Sequence, residues 1–155
     1  MRRRNFLSAA TGTAVGVVAP VMDSRPAVVG TSDVIRLRSG LDALMVLDAA
    51  RGGHEALERS ALAGADEALD EVKRAASQRI RQRLYSVAAN YLSTAAWAAI
   101  DSRQLGRAQA RLDRALYLAG MAKDPVVELR VWNSYAMLAH QRDQFTDAVD
   151  AGYAA

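Results

Sequence analysis

The sequence predicts an all-α protein, and three observations lead to that prediction. The chain of 155 residues is rich in helix-forming residues, with 32 alanines against 10 glycines and 3 prolines. Apolar residues recur at helical spacing over long stretches, whereas runs that alternate apolar and polar residues are scarce. With 51% hydrophobic and 24% charged residues, the composition is that of a globular protein, and the length suits one domain with its own core.

An arginine-led, otherwise uncharged stretch sets residues 1–30 apart from the rest. Arg2–Arg4 are followed by no charged residue before Asp23, and the segment between them is too short and too weakly apolar for a stable membrane span. Arg3–Leu7 resembles the R-R-x-F-L motif of twin-arginine export in bacteria, although Ser8 stands where lysine is common and no clean A-x-A cleavage site follows. Two interpretations stay open with equal weight: an export signal, and a linker that begins with arginines.

Residues 31–155 are predicted to form one helical domain that begins with a pair of helices. We expect Ser32 or Asp33 to cap the first helix and Gly52-Gly53 to end it. We expect a turn over residues 76–78 to end the second helix, because a helix continuing through this point would be unusually long. The two apolar stripes are Val34, Leu37, Leu41, Leu44 and Met45, and then Leu57, Ala61, Ala65, Ala68, Leu69 and Val72.

Residues 80–119 are predicted to form the antiparallel helical hairpin around which the rest of the domain is organised. Polar residues 101–104 separate two apolar stripes, and a connection this short requires the second helix to return beside the first. The first stripe comprises Ile80, Leu84, Val87, Ala88, Tyr91, Leu92, Ala95, Ala96, Ala99 and Ile100. The second comprises Leu105, Ala108, Leu112, Ala115, Leu116 and Ala119. Small residues are expected where the two backbones approach most closely, at Ala96, Ala99, Ala108 and Ala115.

The same hairpin pattern recurs after Pro125, a residue suited to the first turn of a helix. Ala136 and Ala148 follow Ala96 and Ala108, respectively, by 40 residues. Repeated helical hairpins stack so that each buries the apolar face of its neighbour. The second copy of the pattern comprises Leu129, Trp132, Tyr135, Ala136 and Ala139, followed after a polar break by Phe145, Ala148 and Gly152.

The repeated unit resembles a tetratricopeptide repeat. The second-helix pattern of that family is matched by Gln104–Ala108, Leu112, Ala115 and Leu116. Its first-helix positions are matched by Leu92, Ala95, Ala96 and Ala99. The first unit exceeds the usual length of 34 residues by about six residues. The resemblance implies antiparallel helical hairpins stacked as a short solenoid.

Nearly the whole chain also resembles the region that follows the helix-turn-helix in actinobacterial, Streptomyces-type transcriptional regulators. Four stretches carry this resemblance: Arg2–Val18, Asp48–Gly53, Arg83–Ala88 and Ala96–Asp101. The 18 arginines against 2 lysines suit a GC-rich genome. The helix-turn-helix has no counterpart in the sequence. The resemblance therefore implies a truncated or stand-alone effector part, without direct DNA binding.

The charge distribution also argues against nucleic-acid binding. The pI is near 9.6, but outside Arg2–Arg4 the chain has 17 basic and 17 acidic residues. We therefore expect residues 31–155 to show no salt-sensitive DNA binding. The densest basic cluster is interpreted as a solvated face in preference to an acidic-peptide or phosphate site, because no aromatic or glycine residues are interleaved with it. It consists of Lys73, Arg74, Arg79, Arg81 and Arg83.

No pattern in the sequence indicates catalysis, a cofactor or a metal. There is no cysteine, no phosphate-binding loop and no nucleophile motif. His54 and His140 stand alone, without a metal-ligand spacing. A run of four carboxylates on one helix is interpreted as solvent-exposed: Asp66, Glu67, Asp70 and Glu71.

The aromatic residues supply the main candidates for a partner site. Trp97 lies off the apolar stripe and is the best candidate for a groove or interface contact, whereas Trp132 and Tyr135 are assigned to the core. The full set of candidate partner-binding residues is Trp97, Arg74, Arg81 and Tyr117.

The sequence thus predicts a non-catalytic regulatory scaffold that recognises a protein or peptide in the cytoplasm. The alternative is a helical-repeat binding protein of the cell envelope, exported by the twin-arginine route. A homodimer is one further arrangement. We expect the hairpin from Pro125 onward to be frayed, or to be covered by a partner or a second copy, because the short last helix cannot bury Trp132, Tyr135 and Leu138 by itself.

Overall fold

The computed structural model describes residues 28–51, 54–143 and 145–154, and this part of the chain is all-α, as predicted. The arginine-led segment and the Gly52-Gly53 break lie outside the described residues. None of the described helices is long and apolar enough to cross a membrane. The helices are α1 (Thr31–Arg51), α2 (His54–Arg74), α3 (Gln78–Asp101), α4 (Leu105–Ala122), α5 (Pro125–Gln141) and α6 (Phe145–Ala154).

Local capping signals determine where the helices begin. Ser77 caps α3 by accepting a hydrogen bond from the backbone N–H of Ile80 at 3.3 Å, which confirms the predicted turn but places it at residues 75–77. Asp124 caps α5 in the same way, with Pro125 in the first turn. The prediction for α1 needs a correction, because this helix begins before Ser32 and Asp33 accepts a bond from the N–H of Gly30 at 2.9 Å from within the first turn.

Helices α1, α3 and α5 form one layer and run in the same direction. Each helix packs against the next along the chain, and α3 also packs against both α1 and α5. Hydrogen bonds join Ser86 to Asp124 and, further along both helices, Ser93 to Ser134. Residue numbers therefore increase together in α3 and α5, so these helices are parallel. The intervening helix α4 is antiparallel to its neighbours.

The core extends along α3. Its largest fully buried apolar side chains are Leu84, Val87, Leu92, Leu112, Val131 and Leu138. The four alanines expected at the closest approach of α3 and α4, Ala96, Ala99, Ala108 and Ala115, are fully buried. Side chains this small allow the helix backbones to pack closely, which explains why an alanine-rich sequence forms a dense core.

Tyr91 connects the first three helices. Its hydroxyl donates to the backbone carbonyl of Leu37 at 2.8 Å, and the residue is only 5% exposed. A Cβ atom at Gly40 would lie 2.9 Å from the tyrosine oxygen, and one at Gly64 would overlap the ring. The two glycines therefore make the space in which the Tyr91 side chain lies.

A buried ion pair joins α2 to α4 on the other side of the core. The Glu58 side chain is only 4% exposed and contacts the guanidinium of Arg111, with Arg107 at 3.6 Å. Burial lowers the pKa of Arg111. Nearer the other end of the two helices, Arg114 lies 3.9 Å from Asp66, and both of those side chains are exposed.

The prediction that four carboxylates of α2 are exposed is wrong for one of them. Asp66, Glu67 and Asp70 are exposed, but Glu71 is 8% exposed. Glu71 accepts a hydrogen bond from Arg74 at 2.6 Å and lies 3.7 Å from Arg36. These two guanidinium groups explain how a carboxylate can lie in this position.

The last hairpin is only partly closed. Leu138 is fully buried and Tyr135 is half-buried against the core, whereas Trp132 does not pack against it, so the assignment to the core is wrong for Trp132. Both aromatic residues line a cavity of about 410 Å³ between α4, α5 and α6. The Tyr135 hydroxyl donates to Asp113 on α4, and burial together with this bond raises the pKa of Tyr135.

Candidate functional site

A groove lies over α3 between its two parallel neighbours, α1 and α5. It consists of three adjoining cavities of about 220, 250 and 340 Å³. The first and middle cavities share Arg38, Ser86 and Asp124, and the middle and last share Asn90 and Arg130. Because neighbouring cavities have common walls, they form one continuous surface, which we call the α3 groove.

The first cavity is the basic end of the α3 groove, lined by Arg38, Arg79, Arg83 and Lys123. None of these four side chains makes a hydrogen bond or ion pair within the part of the chain that the structure describes. The carboxylate in the same cavity belongs to Asp124, and both of its oxygens are already bound. Its Oδ1 accepts from two backbone N–H groups of α5, and its Oδ2 accepts from a serine hydroxyl of α3 at 2.8 Å. With one carboxylate beside four cations, this end keeps an excess of positive charge that the fold does not balance.

The middle of the α3 groove is held by a polar bridge between α3 and α5. The amide oxygen of Asn90 accepts from Arg130 at 3.1 Å, and its amide nitrogen donates to the carbonyl of Ser86 at 2.8 Å. Both bonds fix the amide orientation, because oxygen accepts and nitrogen donates. Arg130 is thus held in position by a neutral partner and keeps its charge available.

The last cavity is the Trp97 end of the α3 groove. The indole N–H of Trp97 donates to the Ser134 hydroxyl at 2.8 Å, and that hydroxyl also contacts the Ser93 hydroxyl at 3.0 Å. The Ser134 hydroxyl in turn donates to the carbonyl of Arg130 at 3.1 Å, so the indole is anchored in a buried network. Trp97 nevertheless remains 38% exposed and Met45 46% exposed. Two large apolar side chains therefore face solvent at this end.

Charge is distributed unevenly along the α3 groove. Five cations and two carboxylates line its three cavities: Arg38, Arg79, Arg83, Lys123 and Arg130, with Asp42 and Asp124. Four of the cations surround the first cavity, whereas Asp42 lines only the other two. The groove is thus strongly basic at one end and mixed apolar and polar at the other.

Of the four residues predicted to bind a partner, the structure places Trp97 in the α3 groove. Arg74 is paired with Glu71, and Arg81 donates to Gln78 at 3.1 Å. Tyr117 is 68% exposed on α4. None of these three lines the described groove cavities, so the predicted set is not brought together.

The predicted basic cluster over residues 73–83 divides into two parts. Lys73 pairs with Asp70 at 2.7 Å, and Arg74 pairs with Glu71 on the same helix. Arg79 and Arg83, in contrast, line the basic end of the α3 groove. The cluster is therefore divided between two surfaces, and whether Arg79 and Arg83 are only solvated or bind an anion stays a prediction.

Sequence reasoning missed the groove cations that lie outside this cluster. The 40-residue period could have found one of them, because Lys123 follows Arg83 by that number of residues. Arg38 carries no comparable signal, since it lies in the helix pair that precedes the repeated units.

No group of His, Asp or Glu side chains in the described residues is arranged to hold a metal ion. Comparison of the chain with protein-family models and with curated proteins gave no match. Comparison with solved structures gave no match either. The inference of function therefore depends on the α3 groove and the sequence patterns.

Proposed function

We propose that this chain is a non-catalytic, tetratricopeptide-like scaffold that recognises a protein or peptide segment in the α3 groove. The repeat architecture is supported by the parallel layer of α1, α3 and α5 and by the 40-residue period. One observation carries the binding proposal: rigid helices hold exposed Trp97 and Met45 at one end of a groove and unpaired cations at the other. Aromatic and arginine side chains of this kind are the usual anchors of protein interfaces.

The dimensions of the α3 groove favour an extended peptide over a small molecule. Its lining on α3 runs from Arg79 to Trp97, which at the helical rise is roughly 27 Å. An extended peptide covers this length with about eight residues. A small ligand would fill only one of the three open cavities.

The biological setting of the proposal comes from the sequence resemblance. Similarity to the effector region of actinobacterial regulators supports a cytoplasmic regulatory part whose partner would be a protein or peptide. Arg3–Leu7 favours a second candidate, a binding protein exported by the twin-arginine route. Both candidates bind through the same groove and differ in compartment.

The compartment can be tested with residues 1–35 fused to a reporter that is active only after export. We expect no export. The matched control replaces Arg3 and Arg4 with lysines. Export that is lost in this control would favour the envelope protein over the cytoplasmic regulator.

The binding proposal can be tested by selecting a displayed library of short random peptides on the immobilised chain. We expect enriched peptides whose affinity, measured by fluorescence anisotropy, falls about tenfold or more in Trp97→Ala. Tyr117→Ala is the control, because Tyr117 is also an exposed aromatic residue but lies outside the groove. Failure to enrich any peptide, or an equal loss in both variants, would contradict the proposal.

A further inference from the structure

The four cations at the basic end have no ion-pair partner among the described residues, unlike cations that pair with carboxylates at other positions. At several other positions the fold supplies a carboxylate to a cation, as for Arg36 with Glu67 at 2.5 Å and for Lys73 with Asp70 at 2.7 Å. At the basic end, α1 and α3 and the turn before α5 all contribute positive charge to one cavity of about 220 Å³. Like charges held this close repel one another, so an anion bound between them would be favoured.

Asp124 neutralises only part of the charge in this cavity. Its carboxylate is held in place by two N–H groups of α5 and by the Ser86 hydroxyl, and it offsets one of the four positive charges. The geometry points to an external carboxylate as the missing partner. Guanidinium groups such as those of Arg38 and Arg83 can bind carboxylates through paired hydrogen bonds.

We propose that the segment recognised in the α3 groove is an acidic peptide, an inference that rests on the function proposed above. Its carboxylates bind between Arg38, Arg79, Arg83 and Lys123, and a large apolar side chain lies against Trp97 and Met45. Asp42 lines the other two cavities but not the basic end, so acidic residues are favoured at one end of the peptide only.

The spacing of the two anchors follows from the helix. Arg83 and Trp97 are separated along α3 by roughly 21 Å, at about 1.5 Å per residue. An extended peptide spans that distance with about six residues. The ligand therefore carries an acidic residue and a large apolar residue about six positions apart.

A peptide fits these observations better than DNA. The basic end is one small cavity, and the chain outside Arg2–Arg4 has equal numbers of basic and acidic residues. Tight DNA binding requires cations spread along many phosphates. The apolar contact at Trp97 and Met45 also has no counterpart on a phosphate backbone.

The test compares enriched peptides from the library with amidated copies, in which each Asp and Glu is replaced by Asn and Gln. Binding to the full chain is followed by fluorescence anisotropy at low and high salt. We expect acidic residues to be enriched at one end, and the amidated copies to bind at least about tenfold more weakly. Rising salt should weaken the acidic peptides more than the amidated ones.

Two matched double variants locate the effect. Arg38→Ala with Arg83→Ala removes two groove cations, and Arg59→Ala with Arg114→Ala removes the same charge from exposed positions outside the groove. We expect about tenfold or greater loss of affinity in the first and less than about twofold in the second. Thermal unfolding checks that both remain folded, and neither groove arginine has a partner whose loss would unfold the chain.

Three results would overturn the inference. If the enriched peptides are neutral or basic but still depend on Trp97, the acidic preference is wrong while the proposed function stands. If no peptide is enriched, the proposed function itself fails. If a short DNA duplex binds through Arg38 and Arg83 and acidic peptides do not, the groove is a nucleic-acid site.

Discussion

The two sides of α3 use arginine in opposite ways. On the side of α2 and α4, Arg111 is buried against Glu58 and makes a charge pair within the fold. In the α3 groove, Arg38 and Arg83 belong to the same residue type but have no carboxylate partner among the described residues. The difference separates charges that hold the helices together from charges that remain available to a ligand.

This separation has an energetic basis. Removing one partner of a buried pair leaves a charge without solvent or counterion, which costs roughly 3–5 kcal/mol. An exposed cation keeps its hydration, so its removal changes the free energy of unfolding little. Stability and binding should therefore respond to different arginines, and the following predictions test that distinction in order of expected size.

The largest effect is expected for Glu58→Ala. This change leaves Arg111, whose side chain is 12% exposed, without its anionic partner. We expect the free energy of unfolding to fall by about 3 kcal/mol, measured by urea denaturation. Peptide affinity should be unchanged while the protein stays folded.

Asp66→Asn is the control for this change, because it removes a carboxylate from another α2–α4 ion pair, one whose side chains are 69% and 52% exposed. Its expected cost is below about 1 kcal/mol. Equal losses in the two variants would show that burial does not distinguish the pairs.

The next effect concerns packing beneath the α3 groove. Gly64→Ala places a methyl group on the ring of Tyr91, which cannot move freely because its hydroxyl is bonded to Leu37 and Gly40 lies close by. We expect a loss of roughly 1–3 kcal/mol from overpacking. This result would show that close packing around Tyr91 holds α1 and α2 against α3.

Gly120→Ala is the matched control, since a Cβ atom there meets no neighbour within 4 Å. It should stabilise α4 by up to about 1 kcal/mol, because alanine favours a helix interior. If Gly64→Ala were also stabilising, Tyr91 would have to be free to shift, contrary to its contacts.

The sequence was sufficient for the elements that local signals determine. Apolar stripes at helical spacing, together with the caps at Ser77 and Asp124, define helices that need no distant information. The close approach of α3 and α4 was also predictable, because small residues mark it in both stripes. These signals act within one helix or one hairpin.

The charges were less predictable, because their roles depend on contacts between helices. Glu58 follows Leu57 in the sequence and looks like a solvent-facing residue, yet α2 is covered well enough to bury it beside Arg111. Arg38 becomes a groove residue because α1 lies beside α3, which no local pattern specifies. Trp97 was found because it is a large aromatic residue that lies off an otherwise continuous apolar stripe.

A smaller change in the free energy of unfolding is expected at alkaline pH, where the titrating group is a tyrosine. Burial and the bond to Asp113 raise the pKa of Tyr135 above its ordinary value of 10.0 in the folded protein. Below pH 10 the residue is protonated in both states and its contribution to stability is fully present. Above that pH the tyrosine of the unfolded state loses its proton first. One pH unit above the ordinary pKa, the free energy of unfolding is therefore lower by about 1.4 kcal/mol.

Urea denaturation over this pH range tests the assignment. Tyr135→Phe should make the alkaline decline shallower, although it also removes the bond to Asp113 and lowers stability at neutral pH. Tyr117→Phe, at an exposed position on α4, should leave the decline unchanged. An unchanged slope in Tyr135→Phe would assign the decline to other groups.

The smallest effect on the free energy of unfolding is expected for the two arginine substitutions that should weaken peptide binding most. Arg38→Ala with Arg83→Ala removes two cations from a cavity in which all four cations lack partners among the described residues. Because like charges repel and no ion pair is lost, we expect the free energy of unfolding to change by no more than about 0.5 kcal/mol, with any gain due to relief of repulsion. Urea denaturation at low and high salt measures this, since salt should reduce such a gain. A loss above about 1 kcal/mol would mean that these arginines support the fold, and the contrast with Arg111 would no longer hold.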